Sequence, residues 1–289
     1  LYHYFLGLKY YPEVGSNELY NCHLRADGER ERRRIRDNAK VRDLSTYQMR
    51  RAGELRREAD CSAFSEERWQ EFRHDVDYFD GIIGRRALQD HGYNGTPFHG
   101  RTLGLLAELV RVDRAGLVIA TCFDIVGLCL LFVLLVWSFG WQVGALFALF
   151  TFTNMSDYFF HVSFCRYPWF ITLGIGLACL NKKRYGCAAF LLVASAMFNV
   201  FPIFFLAALP LKALVQLVRT RRLESHSKRF LAFALVATVL FGGVSLLQEE
   251  PIQRYRTFFA NMDMHSELMT RSRTGLPWLF VLDNVAARS

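Results

Sequence analysis

The sequence predicts an all-α, polytopic transmembrane helix bundle preceded by a helical extracytoplasmic segment, and three observations predict it. Hydrophobic residues make up 52% of the 289 and aromatics 15%, a heavy load for a water-soluble protein. That load is unevenly spread: residues 1–114 carry 20 Lys and Arg against 19 Asp and Glu, whereas 115–289 is a series of apolar runs between short charged patches. The net charge of +8 is concentrated in two of those patches. Lys182, Lys183 and Arg184 carry three charges, and the cluster from Lys212 to Arg229, less Glu224, carries five. Basic clusters flanking apolar runs follow the positive-inside bias, which argues against a nucleic-acid face.

In chain order, the polar segment opens with an aromatic-rich stretch, and residues 19–59 are helical in composition, with RERRRIR (30–36) read as a solvated helix face laced with ion pairs, or as a contact for lipid headgroups. Trp69, Phe72, Val76, Phe79 and Ile83 recur at spacings of three and four, the stripe of an amphipathic helix that Ser65, Glu66 and Glu67 would start. HDVD (74–77) contains a D-x-D pattern. Residues two apart on a helix point about 200° around the axis, so the two carboxylates are read as a solvated face and not as a metal grip.

Apolar runs cover about 115–139, 141–155, 168–180, 185–200, 201–218 and 230–247, with another opening at Leu276. That gives about six spans plus the start of a seventh, and the chain is expected to lack at least one helix at each end. The block 185–218 has basic clusters at both ends and Phe201-Pro202 near its middle, which predicts two short helices meeting in an outer turn. Counting crossings from there places 1–114, 156–167 and 249–274 outside. Cys22 and Cys61 fall in that outer segment and could pair as a disulfide. No CxxC pair, zinc-spaced His/Cys set, Walker loop, GxGxxG, HExxH or GxSxG is present.

Polar groups gather on the outer side. DHGYNGTPF (90–98) brings together Asp90, His91, Tyr93, Asn94 and Thr96 around two glycines and a proline, in a pattern that suits neither a helix interior nor a strand. The outer loop adds Asp157, His161 and Arg166, and the last long loop adds Asp263, His265 and Arg271. Ionisable groups clustered at a membrane interface are costly and usually functional. Each has a local reading as well. Asp90 and Asn94 could cap a turn before a helix at 101–110, His161 could pack among phenylalanines, and Arg166 could reach for headgroups or clamp a phosphate. Asp124, inside an apolar run, must pair, protonate or line a polar cavity.

The order YHYFLGLKYYPEVGSNELY, VRDL (41–44), FSEERWQEFRHDVDYF (64–79), DHGYNGTPF, an outer loop ending at Arg166 and KKRYGCAAFLLVASAMFNVFP (182–202) resembles a bacterial group of multi-pass membrane proteins, which in turn resemble GT-C glycosyltransferases. The resemblance spans nearly the whole chain. It implies transfer of a sugar from a polyprenyl-phosphate donor to an acceptor on the non-cytoplasmic face of a bacterial inner membrane, with residues 1–114 periplasmic and with lipid and lipid-linked sugar as partners. Some such enzymes use a divalent cation and others do not. The family's catalytic acid sits in the first outer loop and could lie upstream of Leu1; Asp90 and Asp43 are the first-loop carboxylates present. By the same resemblance Arg166 would clamp the phosphate, while His91, Asn94, Asp157, His161 and His265 would orient sugar or phosphate. Asn199 stands where the pattern often has a basic residue before FP. Two other classes stay open: a non-enzymatic membrane scaffold or assembly subunit, and a transporter, for which Asp124 stands almost alone.

Overall fold

The computed structural model describes residues 1–83, 85–154 and 164–267, and these are mostly helical. The polar segment contributes α1 (Tyr2–Lys9), α2 (Tyr11–Val14), α3 (Leu19–Gly28), a hairpin of β1 (Lys40–Arg42) and β2 (Met49–Arg51), α4 (Ala52–Glu58), α5 (Glu66–Asp80) and α6 (Pro97–Glu108). The apolar part contributes α7 (Arg114–Phe139), α8 (Trp141–Asn154), α9 (Pro168–Asn181), α10 (Tyr185–Phe198), α11 (Ile203–Thr220), α12 (Ser225–Leu246) and α13 (Pro251–Glu267).

The stripe helix forms as its sequence dictates. Ser65 caps α5 by accepting the Arg68 amide at 3.2 Å, and Phe72, Val76 and Phe79 are buried against α1 and α3. Each such side chain contributes roughly 2 kcal/mol by leaving water. Asp75 also lies on that stripe, at the spacing 72, 75, 76, 79, so it is buried and not solvated as the D-x-D reading expects. Lys9 and the Tyr10 hydroxyl satisfy it, at 2.6 and 2.7 Å. Asp77 points to solvent and pairs with Arg34, so the two carboxylates do diverge.

Residues 19–59 depart from the all-helical expectation. Gly28 ends α3, and 30–36 follows as an irregular loop wrapped around Asp27, a fully buried carboxylate that accepts the Arg34 and Ile35 amides at 2.8 and 3.1 Å. Arg30 and Arg56 neutralise it. The arginines are laced with ion pairs as expected, but on a loop. Cys22 and Cys61 form a disulfide that pins α3 to the start of the α5 loop across 39 residues.

Among the described residues three helices are long and apolar enough to cross a membrane: α7, α11 and α12. At 1.5 Å per residue their 26, 18 and 22 residues span about 39, 27 and 33 Å, against a hydrocarbon core of about 30 Å. The shorter apolar helices α8, α9 and α10 pack beside them. Side-chain ties fix which ends lie together. Ser138 donates to the Ala178 carbonyl at 2.8 Å and Asn181 donates to the Ser138 carbonyl at 2.7 Å, joining the last turns of α7 and α9 beside Lys182 to Arg184. Tyr185 stacks on His226 at 5.1 Å, which brings the second basic cluster to the same end. At the opposite end Thr96 donates to the Met197 carbonyl at 2.6 Å, and Arg254 at the start of α13 donates to the Tyr11 and Pro12 carbonyls. The polar segment therefore sits at the end away from the basic hinges.

Candidate functional site

DHGYNGTPF is the lead-in to α6, and most of its residue types have a local task. Gly92 adopts φ +72°, a conformation L side chains rarely take, with Leu44 against its open face. Tyr93 folds back over Gly95 and donates its hydroxyl to His99 Nδ1 at 2.5 Å, while His99 Nε2 donates to the Cys165 carbonyl at 2.7 Å. This fully buried chain fixes the His99 tautomer, and burial pushes the imidazole down to about 4, so it is neutral at neutral pH. Thr96 caps α6 by accepting the His99 amide, and Pro97 occupies the first helical position.

Asp90 and Asn94 are left with other work. Asp90 Oδ2 meets His3 Nε2 at 3.3 Å, and its other oxygen accepts the His91 amide at 2.8 Å. Burial pushes His3 down to about 4 against the opposing pull of Asp90, so a neutral imidazole faces an exposed carboxylate. Asn94 accepts a hydrogen bond from the Tyr4 hydroxyl at 2.7 Å. Arg166 lies over the Tyr4 ring, 6.0 Å from its centroid, and its amide donates to Asp124 Oδ2 at 2.9 Å. Burial raises the Tyr4 phenol to about 12; Arg166 opposes that rise, and Asp124 and Asp90 add to it. Asn94 and Arg166 thus meet at Tyr4, with Asp90 beside them on His3, two residues the sequence reading did not single out. The signal available was YHYF at the head of the chain, where Tyr2, His3 and Tyr4 fall on successive faces of α1.

The other predicted residues divide. Asp43 is buried in the hairpin turn, with one oxygen taken by the Ser45 amide and hydroxyl and the other by Arg50. Burial pushes its carboxyl up, but Ser45 and Arg50 outweigh that and hold it below the ordinary range. His91 packs edge-on to Tyr47 beside Asp90. Asp124 caps the start of α9 through the Arg166 and Tyr167 amides, a structural bond. Asp263 is exposed on α13. Asp157, His161, Arg271, the His265 side chain and the run at Leu276 lie outside the described residues. Among the described residues no three His, Cys, Asp or Glu side chains come together as a metal ion would require.

Beside the Tyr4 cluster is a cavity of about 160 Å³, bordered by Tyr47, Asn94, Thr96, Asn199 and Asn261. It joins DHGYNGTPF to the FNVFP turn, the two stretches most distinctive in the sequence. That volume is below the roughly 300 Å³ of pockets that enclose a drug-sized molecule, so it suits one ring or headgroup. Its amides offer neutral donors and acceptors of the kind hydroxyl groups need. No protein-family model, curated protein or solved structure matches the chain.

Proposed function

We propose that the chain is a membrane glycosyltransferase of the GT-C kind, transferring a sugar from a polyprenyl-phosphate donor to an acceptor hydroxyl on the non-cytoplasmic face of a bacterial inner membrane. One observation carries the reading: a carboxylate, Asp90, paired with His3, and a guanidinium, Arg166, over the ring of Tyr4, far apart in sequence, meet neighbouring residues of α1 at the end of the bundle away from the basic hinges. With Asp43 committed to Ser45 and Arg50, Asp90 is the base. It takes the acceptor hydroxyl proton as that oxygen bonds to the anomeric carbon. The bond from that carbon to the phosphate oxygen breaks, and Arg166 stabilises the negative charge left on polyprenyl phosphate. Asn94 and the amide-lined cavity hold sugar hydroxyls. α7, long and apolar enough to cross a membrane, holds the Arg166 amide through Asp124, and on this reading it keeps the donor lipid in reach of Arg166.

The test is transfer from a labelled polyprenyl-phosphate sugar in vesicles holding the full chain. Asp90→Asn and Arg166→Ala should each slow turnover by about 10²–10⁴-fold, the usual weight of a positioned acid or base. Unchanged turnover in both variants excludes these roles. A scaffold is the second reading, and a specific observation favours it: Asp43 and the Tyr93–His99–Cys165 chain are satisfied locally. That reading predicts no transfer from wild type.

A further inference from the structure

On the other side of Tyr11 a second cavity, of about 320 Å³, opens between α2, α6 and the turn that joins α12 to α13. Gly100 and Gly104 of α6 form its closest approach: side chains there would run into the Tyr11 ring and the Leu8 carbonyl. Three buried polar atoms of its lining residues have no hydrogen-bond partner among the described residues: the Tyr11 hydroxyl, Glu13 Oε2 and Gln248 Oε1. Glu13 uses its other oxygen on Arg68, at 2.7 Å. Gln248 donates its amide nitrogen to the Ser245 carbonyl at 2.7 Å, which leaves the oxygen as its unused group. Leaving such acceptors dry costs about 1–3 kcal/mol each, more for the carboxylate, so the cavity asks for a donor.

The wall also holds cations without acid partners. Arg101 makes no ion pair among the described residues, and Arg254 spends its guanidinium on the Glu249, Tyr11 and Pro12 carbonyls. Arg101 and Arg254 share the wall with Glu13, Glu108 and Glu249, so charges of both signs line the site, with the acids one in excess. Separated charges of both signs, with acid in excess, fit a zwitterion that carries an ammonium better than an anion. The rim decides the source. Leu105 and Leu247 are 53% and 73% exposed, and Leu247 directly follows the membrane-crossing helix α12.

We propose that this cavity is a binding site for the headgroup of an amine-bearing, zwitterionic phospholipid. The ammonium donates to Glu13 Oε2 and Gln248 Oε1, the phosphate meets Arg101, and the acyl chains leave past Leu105 and Leu247 along α12. The site is separate from the Tyr4 cluster and does not depend on the transferase reading.

The full chain, purified in mild detergent, is mixed with equal phosphatidylethanolamine and phosphatidylglycerol and weighed intact by native mass spectrometry. Wild type should retain the ethanolamine lipid at least fivefold over the glycerol lipid. Arg101→Gln and Gln248→Leu should each cut that adduct about tenfold, with Arg101→Lys restoring part of it and an unchanged unfolding temperature showing that the variants fold. Equal retention of the two lipids, or variants that retain the ethanolamine lipid as wild type does, would overturn the proposal. So would soluble phosphoethanolamine binding as tightly as the lipid, since the chains would then contribute nothing.

Discussion

Replacing Lys9 by methionine tests how the polar segment is locked together. Lys9 is 3% exposed and Asp75 2%; the ammonium lies 2.6 Å from Asp75 Oδ2 and 2.8 Å from Glu71 Oε1. Methionine fills the same volume but leaves Asp75 with the Tyr10 hydroxyl as its main donor. Removing one member of a buried pair costs about 3–5 kcal/mol, because the remaining charge is stranded in a poorly polarisable interior. A chain of this size loses roughly 2 °C of unfolding temperature per kcal/mol, so Lys9→Met should lower it by roughly 6–10 °C in detergent. Asp75→Asn should cost less, about 1–3 kcal/mol, because Lys9 keeps Glu71. The double variant, with no stranded charge, should recover at least half of the Lys9→Met loss. A Lys9→Met effect under 1 kcal/mol, or losses that simply add in the double variant, would refute the reasoning.

Breaking the Cys22–Cys61 bridge with serines should cost about 4 kcal/mol by loop closure over 39 residues, read as a drop in unfolding temperature that reductant reproduces in wild type. Thr96→Val removes both the α6 cap and the donor to the Met197 carbonyl, and should cost about 2 kcal/mol by the same measurement. His99 is held down to about 4 by burial, against about 6.5 when unfolded, so the unfolded chain binds the extra proton between those values. Its contribution to stability is present above pH 6.5 and falls by about 3 kcal/mol as pH drops to 4; His99→Gln should flatten that part of a stability–pH curve. Gly95→Ala should destabilise the chain, because the added methyl collides with the Tyr93 hydroxyl that reaches His99.

The apolar helices were the most legible part of the sequence. Six apolar runs became α7 to α12 with bounds shifted by a few residues, and of the six expected spans three, α7, α11 and α12, are long and apolar enough to cross a membrane; composition and length alone mark such helices. The α5 stripe was equally plain. Asp75 was misjudged because an acid was assigned by type to solvent when its position, three after Phe72 and four before Phe79, places it on the buried face. The hairpin at 40–51 has strands of three residues, too short for alternation to register, and its long-range partners are what define it. At the site, DHGYNGTPF marked itself by composition, but Tyr4 did not: a tyrosine among tyrosines becomes a meeting point only when α1 packs beside α6. Asn261 was hidden for the same reason, since its partner Asn17 lies at the other end of the chain.

The account depends on DHGYNGTPF and the FNVFP turn lying on the opposite side of a membrane from the basic hinges. Single cysteines at Asn94, Asn199 and Lys183, in a chain freed of Cys122, Cys129, Cys165, Cys179 and Cys187, can be probed in sealed vesicles with a thiol reagent that cannot cross the bilayer. Positions 94 and 199 should react from one side and position 183 only from the other. Reaction of 183 and 199 from the same side would contradict the account.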